Sequence, residues 1–292
     1  MIGEPRFHTQ SMLARAKINL YLHVVGKRAD GYHLLDSLVV FAETGDEIAV
    51  APGRDLSLKI VGPFAGKLTA DDDNLVLRAA RGLRDLAGVT TGAAITLTKN
   101  LPVASGIGGG SADAAATLEA LTKLWKITPD RAALEKLALS LGADVPVCLA
   151  GRPAFMGGIG EEIAPVAAIP AAHLLLVNPG VATPTPAVFK ARKGGFSPVG
   201  RWASPPKDAA GLATALQACG NDLTEAAISV TPEIRHLLAA IAGTEHCLLA
   251  RLSGSGATCF GIYADAAAAA AARDAVLREN PGWWAVAARI AG

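Results

Sequence analysis

Residues 101–115, LPVASGIGGGSADAA, constrain this chain more than any other stretch. Residues 93–99 just before it alternate in character, as a strand with two unlike faces does. The residues just after it, ADAAATLEALTKLW, are strong helix formers. Strand, glycine loop and helix therefore follow one another directly. Glycines at 106, 108, 109 and 110 let the backbone come close to an anion and turn successive N–H groups towards it. The helix start adds about half a positive charge. Phosphate is the natural ligand of such a device. A generic tight turn at a helix start would need neither the leading Pro102 nor the Ser-x-Asp run at residues 111–113.

Three well-known phosphate loops are excluded by the same string. The Walker loop needs Gly-Lys followed by Ser or Thr, which does not occur here. The dinucleotide fingerprint needs glycine where Ser111 stands, near the start of a βαβ unit, whereas this loop follows several strands. The HRD and DFG runs of protein kinases are missing.

Elsewhere the pattern alternates strands with helices. In residues 14–24, Ala14, Ala16, Ile18, Leu20, Leu22 and Val24 share one face, and Arg15, Lys17, Asn19, Tyr21 and His23 the other. That period predicts a strand with one buried side. Strands are predicted at 38–41, 47–51, 56–60, 93–99, 173–178 and 284–288, with two more joined by a Ser/Gly turn between 246 and 264. Helices are predicted from Asn74 to Gly88, after the glycine loop, and from Pro129 to Gly142 with Thr128 as cap. Further helices are expected near 221–228 and 232–242 and after the cap Asp265, while residues 179–208 read mostly as loop. The domain boundary is placed near Glu162, giving lobes 1–162 and 163–292.

With 292 residues, 51% hydrophobic and 18% charged, the chain is long enough for two lobes and has a globular composition. A net charge of +1 argues against a nucleic-acid partner. The four cysteines form no CxxC pair or Cys/His cluster, and so read as reduced thiols. Residues 1–17 carry no signal-peptide run, and no stretch reaches the roughly 20 apolar residues of a membrane span. A cytoplasmic protein is expected.

Four segments in order resemble those of the GHMP kinases. They are AKINLYLHVVGKRADGYH at 16–33, the glycine loop, LGADVPVCLAGRPAFMGGIGE at 141–161, and SGSGATCFG at 253–261. DGYH and the triple glycine are similar to the branch that acts on a cytidine diphosphate-linked methylerythritol. Departures are small: Ile107 for the usual leucine, Ala112 where serine is common, and an idiosyncratic stretch at 194–208. The resemblance implies an α+β fold in two lobes, the first like ribosomal protein S5 domain 2 and the second ferredoxin-like. It implies transfer of the ATP γ-phosphate to the 2-hydroxyl of the cytidine substrate, in the non-mevalonate route to isoprenoid precursors.

Residue roles follow from the resemblance. Lys17 and Asp144 match the catalytic pair. Pro102, Gly106, Gly108, Gly109, Gly110 and Ser111 match the triphosphate loop, and Asn74 and Lys99 lie near the nucleotide. Asn19 falls beside the substrate, with Asp144. Tyr32, His33 and Phe189 match the cytidine site, and Thr185 stands near Phe189. ATP would arrive with Mg²⁺, for which Ser111 is the candidate ligand in the absence of a carboxylate cage; no tightly bound cofactor is expected. Other readings are a homoserine or mevalonate type of GHMP kinase, and a non-catalytic ATP-binding module. The second would be marked by loss of Lys17 or Asp144, and both are present. Oligomeric state is not readable from the sequence.

Overall fold

A computed structural model describes residues 9–202 and 204–291. Residues 1–8, 203 and 292 lie outside the described residues. The alternating segment becomes β1 (Gln10–Lys27), which pairs with β2 (His33–Gly53). β2 replaces two predicted short strands with one long one. Gly45, between them, lets β2 pass the backbone of β1: a Cβ there would stand 2.1 Å from the Ala14 carbonyl oxygen. Chain contacts divide the molecule into two units, and both long strands run from one into the other.

The first unit holds residues 9–15, Thr44–Val103 and Gly109–Ala150. Its sheet places β3 (Leu56–Val61) parallel to β4 (Gly92–Thr98), and β4 antiparallel to the end of β2, with Glu47 opposite Thr98. Between β3 and β4 runs α1 (Leu75–Ala87), capped by the Asn74 side chain on Val76 N–H and closed by Gly88 in the left-handed region. After the glycine loop come α2 (Gly109–Trp125), α3 (Arg131–Leu141) and α4 (Val145–Ala150). Helix α1 packs on α2 and α3, and α2 on α4. Alanines allow the close approach: Ala79 and Ala80 of α1 and Ala114, Ala116 and Ala120 of α2 are buried. The cap of α3 is Asp130, on Ala133 N–H at 2.9 Å, not Thr128. A carboxylate at that position gains from the helix dipole as well as the hydrogen bond.

The second unit holds Ala16–Glu43, Ala104–Gly108 and the described residues from 151 onward. The start of β2 pairs with β5 (Ala154–Gly158), and β5 with β6 (Glu162–Pro165), both antiparallel. A separate sheet is built from β7 (His173–Asn178), β8 (Leu249–Leu252), β9 (Cys259–Tyr263) and β10 (Trp284–Arg289). Its last strand lies beside its first, its first beside its third and its third beside its second, all antiparallel. Helices α5 (Thr185–Ala191), α6 (Ala209–Gln217), α7 (Thr224–Val230) and α8 (Glu233–Ala242) fill the first connection, and α9 (Ala266–Glu279) the last. This βαββαβ order with that strand order is ferredoxin-like. Its core joins Leu175 and Val177 of β7 to Leu237 and Ile241 of α8 and Ala272 and Val276 of α9.

Two further expectations change. The stretch 179–208 contains α5, because Pro184 and Pro186 suit a helix start. The polar face of β1 is not exposed: Lys17, Asn19, Tyr21 and His23 are all buried. Around this face the chain brings up the glycine loop, Ser253 and Pro198, whose carbonyl oxygen lies 2.8 Å from His23 Nδ1. Burying polar side chains is tolerated only where each finds partners.

Candidate active site

The loop begins in the second unit. Ala104, Gly106 and Gly108 all have positive φ, at 51°, 75° and 63°. Lys17 N–H donates to the Ile107 carbonyl at 3.0 Å, and a Cβ on Gly108 would stand 3.1 Å from Lys17 Cβ and 3.3 Å from its Cε. The lysine side chain thus lies along the loop backbone. A Cβ on Gly106 would meet the Ser253 carbonyl at 2.6 Å and Gly256 N at 2.7 Å. Only glycine permits this contact with the turn between β8 and β9. Ser253 Oγ accepts from Asn19 N–H at 3.2 Å and donates to the Gly106 carbonyl at 3.1 Å. Three sequence-predicted segments therefore meet at one buried hydroxyl. Asn19 Nδ2 donates to Ser37 Oγ at 2.8 Å, and its buried Oδ1 accepts nothing from the described residues.

The same loop continues in the first unit as the opening turn of α2, with Gly109, Gly110 and Ser111 in the helix itself. Pro102 is buried ahead of it. Leu75 reaches within 3.5 Å of where a Gly110 Cβ would be, so Asn74, as cap of α1, sets the neighbour of this turn. Both ends of the Asn74 amide are used: Oδ1 by Val76 N–H and Nδ2 on the Thr69 carbonyl. Lys99 is buried, and its Nζ binds Asp46 Oδ2 at 2.5 Å and Asp113 Oδ2 at 2.7 Å. Burial pulls the ammonium down, but the two carboxylates more than compensate and raise it. Asp113 is pushed up to about 7, chiefly by burial, against the pull of Lys99. Asp144 directly precedes α4, and its carbonyl accepts from Cys148 N–H, so a helix start rather than a free turn holds it.

The residues matched to the cytidine site lie in the second unit. Thr185 and Phe189 are one helical turn apart on α5 and share a face. Thr185 Oγ1 bonds Ser255 Oγ at 2.7 Å. The Phe189 ring stacks on His33, with centroids 5.1 Å apart and planes at 25°. Burial, together with Lys27 and Arg192, lowers the His33 imidazole, which favours its neutral form. Tyr32 stays exposed. Sequence reasoning did not single out Asp46, Asp113 as a charged group, or Ser255. Asp113 carried a signal as the carboxylate two residues after Ser111, and Ser255 as part of the SGSG run, whereas Asp46 carried none.

Among the described residues no group of three or more His, Cys, Asp or Glu side chains could hold a metal, and no helix is long and apolar enough to cross a membrane. No disulfide joins the cysteines among the described residues.

Residues 74–152 match the N-terminal domain of GHMP kinases, and residues 203–282 their C-terminal domain. A relative from Paramagnetospirillum magneticum, 4-diphosphocytidyl-2-C-methyl-D-erythritol kinase, is 56% identical over 96% of this chain and 98% of its own. The crystal structure of a 4-(cytidine 5'-diphospho)-2C-methyl-D-erythritol kinase superposes with a TM-score of 0.80 at 32% identity, covering 97% of this chain and 99% of that one. Homoserine kinase from Cytophaga hutchinsonii gives 0.74 over 100% of this chain and 97% of its own, but at 16% identity it shares the fold alone.

Proposed function

From the premise that the chain belongs to the 4-diphosphocytidyl-2-C-methyl-D-erythritol kinases of the GHMP superfamily, we propose that it moves the γ-phosphoryl group of ATP to the 2-hydroxyl of 4-diphosphocytidyl-2-C-methyl-D-erythritol. The products are ADP and the 2-phosphate. The observation that carries the site assignment is the loop itself: positive-φ glycines lead straight into the first turn of a 17-residue helix, with Lys17 laid along them. Free N–H groups at that turn and the helix field suit a triphosphate.

In this reading Gly106, Gly108, Gly109, Gly110 and Ser111 hold the phosphates, with Pro102 fixing the approach and Asn74 keeping α1 in place beside them. Asp144 takes the proton of the acceptor hydroxyl, and Lys17 offsets the charge that grows on the transferring oxygens. Asn19 Oδ1 has acceptor capacity to spare and suits a substrate hydroxyl. Phe189 offers its ring to the cytosine, His33 and Tyr32 flank it, and Thr185 fixes the neighbouring turn. Mg²⁺ enters as part of the MgATP substrate, with Ser111 as the protein group offered to it. Residues 1–162 then supply the nucleotide loop, the catalytic pair and Asn19, Tyr32 and His33 of the acceptor site, residues 163–292 supply Thr185 and Phe189, and the enzyme works in the cytoplasm on small molecules.

ADP release from MgATP tests the reaction, with the cytidine compound, homoserine and mevalonate as separate acceptors. Turnover on the cytidine compound alone is expected. Turnover on homoserine or mevalonate instead would overturn the substrate assignment.

A further inference from the structure

Three ionisable side chains are buried together under the start of α2: Asp46 at 0%, Lys99 at 2% and Asp113 at 2% exposure. They come from β2, from the residue after β4, and from the first turns of α2. Each reaches a different part of the loop's framework. Asp46 Oδ1 accepts from Asn100 N–H at 2.6 Å and from Leu101 N–H at 2.8 Å, where the chain leaves β4 for the loop. Its other oxygen binds Lys99 Nζ, which also binds Asp113 Oδ2. The ammonium lies under Gly109: a Cβ there would stand 3.1 Å from Nζ and 3.7 Å from Asp46 Oδ2.

Charges this deep are costly unless paired, and a pair of this kind seldom adds net stability over an apolar core. What it can do is fix geometry, since both carboxylates and the ammonium are directional partners. We propose that Asp46, Lys99 and Asp113 form a clasp that holds the first and last residues of the phosphate loop at a set separation, and that Asp46 is the positioning residue for the nucleotide. Lys99 then acts through Gly109 and the α2 turn, not by touching ATP. Asp113 Oδ1 is buried and has no partner among the described residues, so the clasp is held under incomplete satisfaction. A group kept on those terms is better explained by placement than by stability. The inference rests on the reading that ATP phosphates bind this loop.

The test is equilibrium binding of MgATP without acceptor, alongside steady-state kinetics, on the full chain. Asp46→Asn keeps the shape and removes the charge. Its Kd and KM for MgATP should rise about tenfold, with KM for the acceptor within twofold of wild type. Asp113→Asn keeps an oxygen for Lys99 Nζ and should raise the MgATP Kd less than Asp46→Asn does. A folded Asp46→Asn with wild-type MgATP affinity, or with both KM values raised alike, overturns the clasp. Should that variant not fold, Asp113→Leu decides: selective loss of MgATP affinity supports the clasp and unchanged affinity rejects it. Wild-type binding of MgATP without turnover of the cytidine compound would instead sink the proposed reaction and leave the clasp standing.

Discussion

At the scale of single residues, the chemistry divides into groups that act on the substrate and groups that place them. Asp144 belongs to the first in the proposed reaction. Asp144→Asn keeps the size and the α4 start but removes the base. Its kcat should fall about 10²- to 10⁴-fold with KM values changed only a few-fold. Near-normal turnover in a single-turnover assay would remove Asp144 from the chemistry. Phe189 makes the complementary case. It stacks on His33, so its ring already stands at the face assigned to cytosine. Phe189→Ala should raise KM for the acceptor about tenfold and leave KM for ATP within twofold, as loss of one stacking surface implies. Equal rises in both would place the ring in the framework instead. Lys17, Asn19 and Phe189 were named as candidates by the resemblance. Asp46 was not. Its role depends on two backbone N–H groups more than fifty positions away, and nothing in its local sequence announces that pairing.

Elements were more legible than their ends. The strand periods and the Asn74 and Asp265 caps fixed several correctly, because each signal is local: a side-chain oxygen bonds an N–H two or three residues on. The failures were tertiary. Residues 38–41 and 47–51 read as two strands, and only the neighbouring strand shows that Gly45 between them serves close passage. The buried second face of β1 was invisible for the same reason, since Ser253 reaches Asn19, and Gly200 comes up to Tyr21 and His23, from far along the chain. The meeting of the glycine loop with the β8–β9 turn is another of these contacts, and it can be tested. Gly106→Ala must hold alanine at φ 75° with its Cβ 2.6 Å from a carbonyl oxygen. The strain and the clash should together cost about 1–3 kcal/mol in urea unfolding and weaken MgATP binding as the loop shifts. Unchanged stability and affinity would mean that the turn yields without consequence.

Over the whole molecule, acid and base act on stability through the groups that folding buries. Asp113 is the clearest case, raised from the usual carboxylate range to about 7 by burial. Below the ordinary aspartate value, about 4, folded and unfolded chains both hold its proton, and its contribution is fully present. Between about 4 and about 7 the unfolded chain releases the proton while the folded chain keeps it, so rising pH favours unfolding. Above that window both forms are ionised and the dependence ends. Lys99 opposes no part of this, since its raised ammonium stays charged throughout and its stabilisation is lost only in the alkaline range. Comparison with Asp113→Asn isolates the effect, because asparagine does not titrate. From pH 5.5 to pH 8, the stability of the wild type relative to this variant should fall by about 2 kcal/mol in urea melts, at roughly 1.4 kcal/mol per unit of pH inside the window. A difference that stays constant over that range would mean that Asp113 is ionised throughout in the folded chain, with Lys99 outweighing the cost of burial.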